Sequence, residues 1–135
     1  MMAYRIIDGA EDMDISQVIA LLQYTYWGKD RPREKTETAI ANSRCIGVYG
    51  EEEGRQAGFC RIFSDMATTY YLCDVIVEPE CRGKGVGRMM LEYVTALPEY
   101  RGFRGVLFTR TAGGFYEKFG FRFADGRAMV KDGLY

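Results

Sequence analysis

The sequence predicts a mixed α/β fold of the α+β kind: a central, mostly antiparallel sheet with helices on both faces. Three observations lead there. The hydrophobic residues recur with a helical period in the opening part of the chain and then switch to a period of two. A later run, TYYLCDVIVE (Thr69–Glu78), is apolar on both faces, as a strand covered from both sides must be. A glycine-rich turn then leads straight into the most regular amphipathic helix of the chain, which makes one right-handed strand–helix–strand crossover.

The elements follow in order. AYRIID (Ala3–Asp8) reads as a short strand. Ile15, Val18, Ile19, Leu22 and Tyr26 recur at i, i+3, i+4, i+7 and i+11, a helix with Asp12 or Asp14 as its cap. WGKDRPRE is a charged turn. Pro32 suits the first turn of a second helix, REKTETAIANS, whose weak apolar face holds Ala39 and Ile40. RCIGVYG and QAGFCRIF are strands joined through EEEGR, a hairpin turn containing Gly54. In the central strand, alternation sets Tyr71, Cys73, Val75 and Val77 on one face and Leu72, Asp74, Ile76 and Glu78 on the other, and Pro79 ends it. Val86, Met89, Met90, Tyr93, Val94 and Leu97 form the apolar stripe of the long helix, which Pro98 stops. GVLFT (Gly105–Thr109) reads as a strand, GGFYEKFG as a short helix, FRFA as a strand, and the tail AMVKDGLY as a last strand with a loose end.

Composition narrows the functions. The 135 residues suit one domain, 1–135, able to bury its own core without a metal or disulfide staple. Hydrophobic residues make up 47% and charged residues 27%, the balance of a soluble globular protein. A formal net charge of -1 argues against a generic binder of nucleic acid or anionic membranes. No run approaches the ~18 apolar residues of a membrane span, and the acidic start has no signal-peptide core, so a cytoplasmic location is expected. Cys45, Cys60, Cys73 and Cys81 form no CxxC pair and read as small core residues in a reducing compartment. Histidine is absent, which removes His triads, His metal sites and His general bases together.

The stretch ECRGKGVGRMMLEYV (Glu80–Val94) carries the strongest chemical signal. Gly83, Gly85 and Gly87 let the backbone take positive φ and approach a ligand closely. The helix that follows starts with free N–H groups and a partial positive charge. Together they make an anion site, most naturally for phosphate, with Arg82, Lys84 and Arg88 around its rim. The competing reading is a tight strand-to-helix turn with solvated charges. The mononucleotide P-loop does not fit, because Gly87 is followed by Arg88 and Met89 instead of Lys-Ser/Thr. The dinucleotide fingerprint does not fit either, because the loop reads GxGxG and follows the fourth strand.

RGKGVG (residues 82–87) resembles the Arg/Gln-x-x-Gly-x-Gly/Ala loop of the GNAT superfamily of N-acetyltransferases, and it stands where that family puts it, between YLCDVIVEP and RMMLEYVTAL. GGFYEKFGF (Gly113–Phe121) is similar to the family's C-terminal aromatic-Tyr-Glu-Lys-x-Gly-Phe segment. The element order agrees over nearly the whole chain. The resemblance implies a small, single-domain N-acetyltransferase with a GNAT-like fold and a V-shaped cofactor cleft. That gap is expected between the strand ending near Val77 and the strand Gly105–Thr109. Acetyl-CoA is implied as the donor, with no metal. The backbone N–H groups of Arg82, Gly83, Lys84, Gly85, Val86 and Gly87 would hold its pyrophosphate. Val75, Ile76 and Val77 would offer main-chain groups to the pantetheine arm and the thioester oxygen. Thr109 takes the place of an Asn common at the end of the next strand. Where small relatives carry an Asp-Ala-His-like turn, this chain reads Thr111-Ala112-Gly113, so chemistry placed on that His does not apply here.

Acetyl transfer to an amine needs a neutral amine, donors for the developing oxyanion, and a proton for the leaving thiolate. Strand N–H groups near Val75–Val77 suit the second demand. Tyr116 resembles the family's general acid, the alternative being an aromatic packed on the sheet. Asp74 is the first candidate for general base: mid-strand between apolar neighbours, its pKa is expected to be raised. The alternative is a structural Asp that accepts hydrogen bonds. Glu78 and Asp65 are weaker candidates, a strand end and a turn residue. Tyr24, Tyr26 and Trp27 follow the first helix, where the resemblance implies an acceptor pocket, and they read equally as that pocket or as core and rim. The acceptor is expected to be a small-molecule or peptide amine, and a homodimer stays open. A non-catalytic acyl-CoA-binding module for sensing or interaction is the alternative function, and a nucleotide-binding module a remote third.

Overall fold

A computed structural model of the chain describes residues 3–52 and 54–133. Its strands are β1 (Tyr4–Asp8), β2 (Arg44–Gly50), β3 (Gln56–Ser64), β4 (Thr69–Val77) and β5 (Arg104–Val106). Its α-helices are α1 (Ile15–Leu22), α2 (Arg33–Ala41), α3 (Val86–Thr95) and α4 (Gly113–Glu117). The sheet runs β1-β2-β3-β4-β5. The first three pairings are antiparallel, and β4 with β5 is parallel across the α3 crossover. This is the expected mixed, mostly antiparallel sheet. α3 packs on one face through Val86, Met90, Leu91 and Val94, against Ile46, Val48, Ile62 and Leu72. The other face is covered through Val18, Leu21, Leu22 and Ile40, which meet Cys45, Phe59 and Ile76.

α1 begins where Asp14 accepts a hydrogen bond from Ser16 N at 2.9 Å, which settles the choice between the two capping aspartates. It ends earlier than its periodicity predicts. The buried Thr25 hydroxyl donates to Leu22 O (2.7 Å) and accepts from Gly28 N (2.9 Å), so a turn forms and Tyr26 leaves the helical stripe.

The central strand departs from strict alternation. Asp74 and Val75 together oppose Cys60, because Arg61 pairs with Cys73 while Phe59 pairs with Ile76. This is a β-bulge, with Asp74 at φ +53°. The extra residue shifts the phase. Tyr70 and Leu72 belong to the α3 side, and so, past the bulge, do Val75 and Val77, while Ile76 joins the α1 side. The two-face assignment that grouped Tyr71 and Cys73 with Val75 and Val77 is therefore corrected.

Among the described residues no sixth or seventh strand forms. FRFA and Ala128–Gly133 are irregular, and Leu134 and Tyr135 lie outside the described residues. The Phe121 and Phe123 rings lie against Gly105 and Gly113, where a Cβ would stand 3.1 and 2.6 Å from them, and Phe123 remains 59% exposed.

Candidate active site at the open end of β4

β5 pairs with β4 at Thr69–Arg104, Tyr70–Gly105 and Tyr71–Val106 and then ends. From Leu72 to Val77 that edge of β4 has no neighbouring strand among the described residues. The two strands part there, as the expected gap requires, although β5 starts one residue earlier and stops three earlier than the Gly105–Thr109 strand read from sequence. Glu78 N donates to Ala57 O at 2.8 Å on the β3 side. Strand alternation then turns the main-chain groups of Ile76 toward β3 and those of Val75 and Val77 toward the gap. Of the three expected main-chain contributors, Ile76 faces away.

The glycine loop borders this gap. Gly83 stands at φ +77° and Gly85 at φ +84°, values that cost an ordinary L-residue roughly 1–2 kcal/mol. A Cβ on either would meet no protein atom within 4 Å. These glycines therefore serve the backbone's path and leave open space beside it. Gly87 differs: it lies inside α3, and a Cβ there would come 3.3 Å from Phe115 Cζ. Its smallness lets α4 pack on the first turn of α3, so the positive-φ expectation holds for two of the three glycines. Gly85 caps α3 with no side-chain hydrogen bond. The N–H groups of Val86, Gly87 and Arg88 thus have no acceptor within the helix. Arg82, Lys84 and Arg88 are exposed around them, with Arg88 paired to Glu92 on the next turn at 2.7 Å.

Asp74 is not the half-dry base expected. Its carboxylate accepts from Trp27 Nε1 (2.9 Å), Arg31 Nη2 (2.7 Å) and Arg61 Nε (3.0 Å). Burial alone would raise its pKa, but the hydrogen bonds and charges of Arg31 and Arg61 outweigh it and hold the carboxyl below the usual range. A carboxylate with three donors and lowered proton affinity is a poor base. The structure corrects the expected raised pKa and makes Asp74 a junction between the α1–α2 segment and the sheet. Glu78 is also structural: it is buried, accepts from Glu80 N at 2.9 Å, and pairs with Arg55 at 3.3 Å. Asp65 accepts from the N–H groups of Ala67, Thr68 and Thr69 in its turn, led by the Thr68 hydroxyl, which holds its carboxyl far below the usual range.

Of the aromatics after α1, Tyr26 and Trp27 converge here, while Tyr24 is exposed. Trp27 meets Tyr26 edge-on at 4.9 Å, and the Arg110 guanidinium lies over the Tyr26 ring at 4.4 Å. Arg110 belongs to the segment after β5, so this stack joins the two sides of the gap. Phe108, two residues earlier, meets Tyr71, and Tyr71 meets Phe63. Sequence reading missed Arg31, Arg61, Phe63, Tyr71, Phe108 and Arg110. A charged residue within the apolar strand FCRIF was the available signal for Arg61.

Tyr116 projects from α4 into the α3-side core, 8% exposed, against Phe115 and Phe121. Burial pushes its phenol up to about 12. Thr109 Oγ1 accepts from Ala112 N at 3.0 Å and so forms the turn into α4. Cys45 and Cys60 are buried, as expected, while Cys73 and Cys81 are partly exposed. Burial pushes the Cys73 thiol up to about 11 and the Cys45 thiol up to about 12, and it raises the Cys60 thiol well above the usual range, so none of these is a thiolate nucleophile. Among the described residues no group of three His, Cys, Asp or Glu side chains is placed to hold a metal ion, and no helix is long and apolar enough to cross a membrane.

Comparison with known proteins agrees with this geometry. The family model described as an acetyltransferase (GNAT) domain matches residues 42–123. A GNAT-family protein of Xanthomonas campestris pv. campestris is 34% identical, with a TM-score of 0.87 over 99% of this chain and 95% of that one. Glucosamine-6-phosphate N-acetyltransferase of Arabidopsis thaliana shares the fold alone, at 20% identity and a TM-score of 0.67 over 98% of each chain. Histone acetyltransferase TAP1 of Glycine max is 30% identical over 97 residues, 64% of this chain and 42% of that protein. The chain spans less than half the length of the curated relatives it matches.

Proposed function

The chain belongs to the GNAT acetyltransferase family, and from that premise we propose that it is an N-acetyltransferase, one domain over 1–135, acting in the cytoplasm. It moves an acetyl group from acetyl-CoA to the primary amine of a small molecule or peptide by direct attack. One observation carries the reading: a positive-φ glycine loop at an uncapped helix start lies beside the one stretch of β4 edge that has no neighbouring strand.

The residues present fit acetyl-CoA, because the loop combines room beside Gly83 and Gly85 with unsatisfied N–H groups. When bound, acetyl-CoA supplies an activated thioester. The N–H groups of Val86, Gly87 and Arg88 bind its phosphates, with Arg82, Lys84 and Arg88 adding charge from the rim. Val75 and Val77 hydrogen-bond the amide-bearing arm as a neighbouring strand would. Tyr116 keeps its phenolic proton at all ordinary pH values and presents it as a donor toward the departing sulfur. None of the three carboxylates considered as bases is free: Asp74 is paired with Arg31 and Arg61, Glu78 with Arg55, and Asp65 is held by its own turn. The attacking amine therefore loses its proton to solvent, and the rate rises with pH toward the amine's own pKa.

The ion-paired state of Asp74 is also the observation that favours the second reading, a non-catalytic acyl-CoA-binding module. Release of free CoA thiol from acetyl-CoA, with amino acids, peptides and polyamines as acceptors, separates the two. Amine-dependent release supports the transferase. Calorimetric acetyl-CoA binding without release for any amine supports the module, and no binding overturns both.

A further inference from the structure

The side chains on the α1 side of the gap close into a circuit. Phe108 meets Tyr71 at 5.8 Å, and Tyr71 meets Phe63 at 5.1 Å. The Arg61 guanidinium lies 5.8 Å from the Phe63 ring centre and pairs with Asp74. Asp74 accepts from Trp27, Trp27 meets Tyr26, and Tyr26 carries Arg110, which returns along the chain to Phe108. Segments distant in sequence thus border one partly exposed patch beside the bare edge of β4.

Its lining is aromatic and positive. Tyr26 and Phe108 are each 59% exposed and Phe63 44%, more apolar surface than isolated surface residues present. The circuit holds one carboxylate, Asp74, already shared by two guanidiniums. Arg110 adds a further positive charge, and among the described residues no carboxylate pairs with it; its partner is the Tyr26 ring. A polyamine or an aminoglycoside brings several positive charges to a frame whose one carboxylate already holds two guanidiniums, so its charges find no partner there. An amine with a neighbouring carboxylate meets the opposite conditions: the exposed fork of Arg110 matches its acid group, and the rings cover its body.

We propose that this patch binds the acceptor, and that the acceptor is a small amine carrying a carboxylate and an apolar or aromatic body, the chemical class of a free hydrophobic amino acid. This rests on the acetyltransferase reading above and narrows its acceptor to the small-molecule branch.

The test uses the chain's one tryptophan, Trp27, which is part of the frame. Its emission is followed in the full-length protein, with CoA present and absent, during titration with L-phenylalanine, with phenethylamine (the same body without the acid), and with spermidine. L-phenylalanine is expected to bind at least about tenfold more tightly than phenethylamine, the size of one charge-assisted contact. Arg110→Ala should abolish that preference and Arg110→Lys should keep part of it. Equal or tighter binding of phenethylamine or spermidine overturns the proposal, and so does an unchanged preference in Arg110→Ala or a silent titration with L-phenylalanine. Failure of the acetyltransferase reading looks different: no thiol release from acetyl-CoA with any of the three amines, while the emission titration still ranks L-phenylalanine first.

Discussion

Two segments border the open end of β4, and they are built on opposite plans. Arg82–Val86 offers main chain: two positive-φ glycines, a helix start with no side-chain cap, and charges that stand in solvent. Tyr24–Arg31 offers side chains: Trp27 and Arg31 reach the sheet and close on a buried Asp74, while Tyr26 meets Arg110 from across the gap. The first plan is written in a few adjacent residues and depends on nothing remote. The second is assembled from distant segments and holds only while every charge keeps its partner. Damage to the first should therefore appear in ligand binding and leave the fold standing. Damage to the second should appear in stability before it appears anywhere else.

Asp74→Ala strains this contrast most. It strands Arg31 and Arg61, whose side chains are 8% and 13% exposed, and breaking a buried pair typically costs about 3–5 kcal/mol. The calorimetric midpoint should fall by roughly 10–20 °C, and a fall of under about 3 °C would mean that the network carries little. The pH dependence has a definite sign. The folded carboxyl titrates below 3.8, so its contribution is present above pH ~4 and is lost as pH drops through the folded value. Asp74→Asn should lack this portion of the acid destabilisation.

Gly85→Glu is the matching experiment on the backbone plan. Losing even two charge-assisted hydrogen bonds of about 1.5–3 kcal/mol each predicts acetyl-CoA binding weaker by about a hundredfold or more. The strain at φ +84° adds only about 1–2 kcal/mol of instability. Unchanged calorimetric affinity in the folded variant would remove the loop from the site. A midpoint loss as large as that of Asp74→Ala would erase the distinction between the two plans.

Tyr116→Phe should bind acetyl-CoA normally and lose about 10²-fold in single-turnover rate, the low end for general acids because its phenol is a weak one. Burial keeps that phenol up to about 12, so it contributes no falling alkaline limb below about pH 11. A limb near pH ~9–10 that disappears in Tyr116→Phe would contradict this assignment. The smallest effect belongs to Arg88→Ala: exposed and already paired with Glu92, it should weaken acetyl-CoA binding no more than about threefold, and less in high salt.

The same difference in plan decides what the sequence discloses. α3 and its loop were legible because the information is local: a helical stripe, a proline stop, and glycines whose φ no other residue takes cheaply. The start of α1 was legible to within two capping aspartates, Asp12 and Asp14, of which the structure uses Asp14. The end of α1 was not, since Thr25 turns the chain with a hydroxyl that fits the helical pattern equally well. The bulge in β4 was hidden because its positive-φ residue is Asp74, not glycine, supported by donors from Trp27, Arg31 and Arg61 that no spacing rule connects. FRFA has a strand's alternation, yet it forms no ladder: its rings lie near Gly105 and Gly113, and Phe123 stays 59% exposed. Asp74 was read with the wrong proton affinity, because burial is visible in a sequence and ion-pair partners are not.

The early end of β5 divides β4 into two kinetic populations of amides. Tyr70 has a strand on each side and exchanges its hydrogen with solvent only when the sheet opens. Val77, on the same strand, presents its main chain to a bare edge and exchanges at a rate set by local solvent access. An amide-bearing chain laid along that edge would slow Val77 and leave Tyr70 unchanged. Deuterium uptake along this one strand would then register binding as the growth of a sheet.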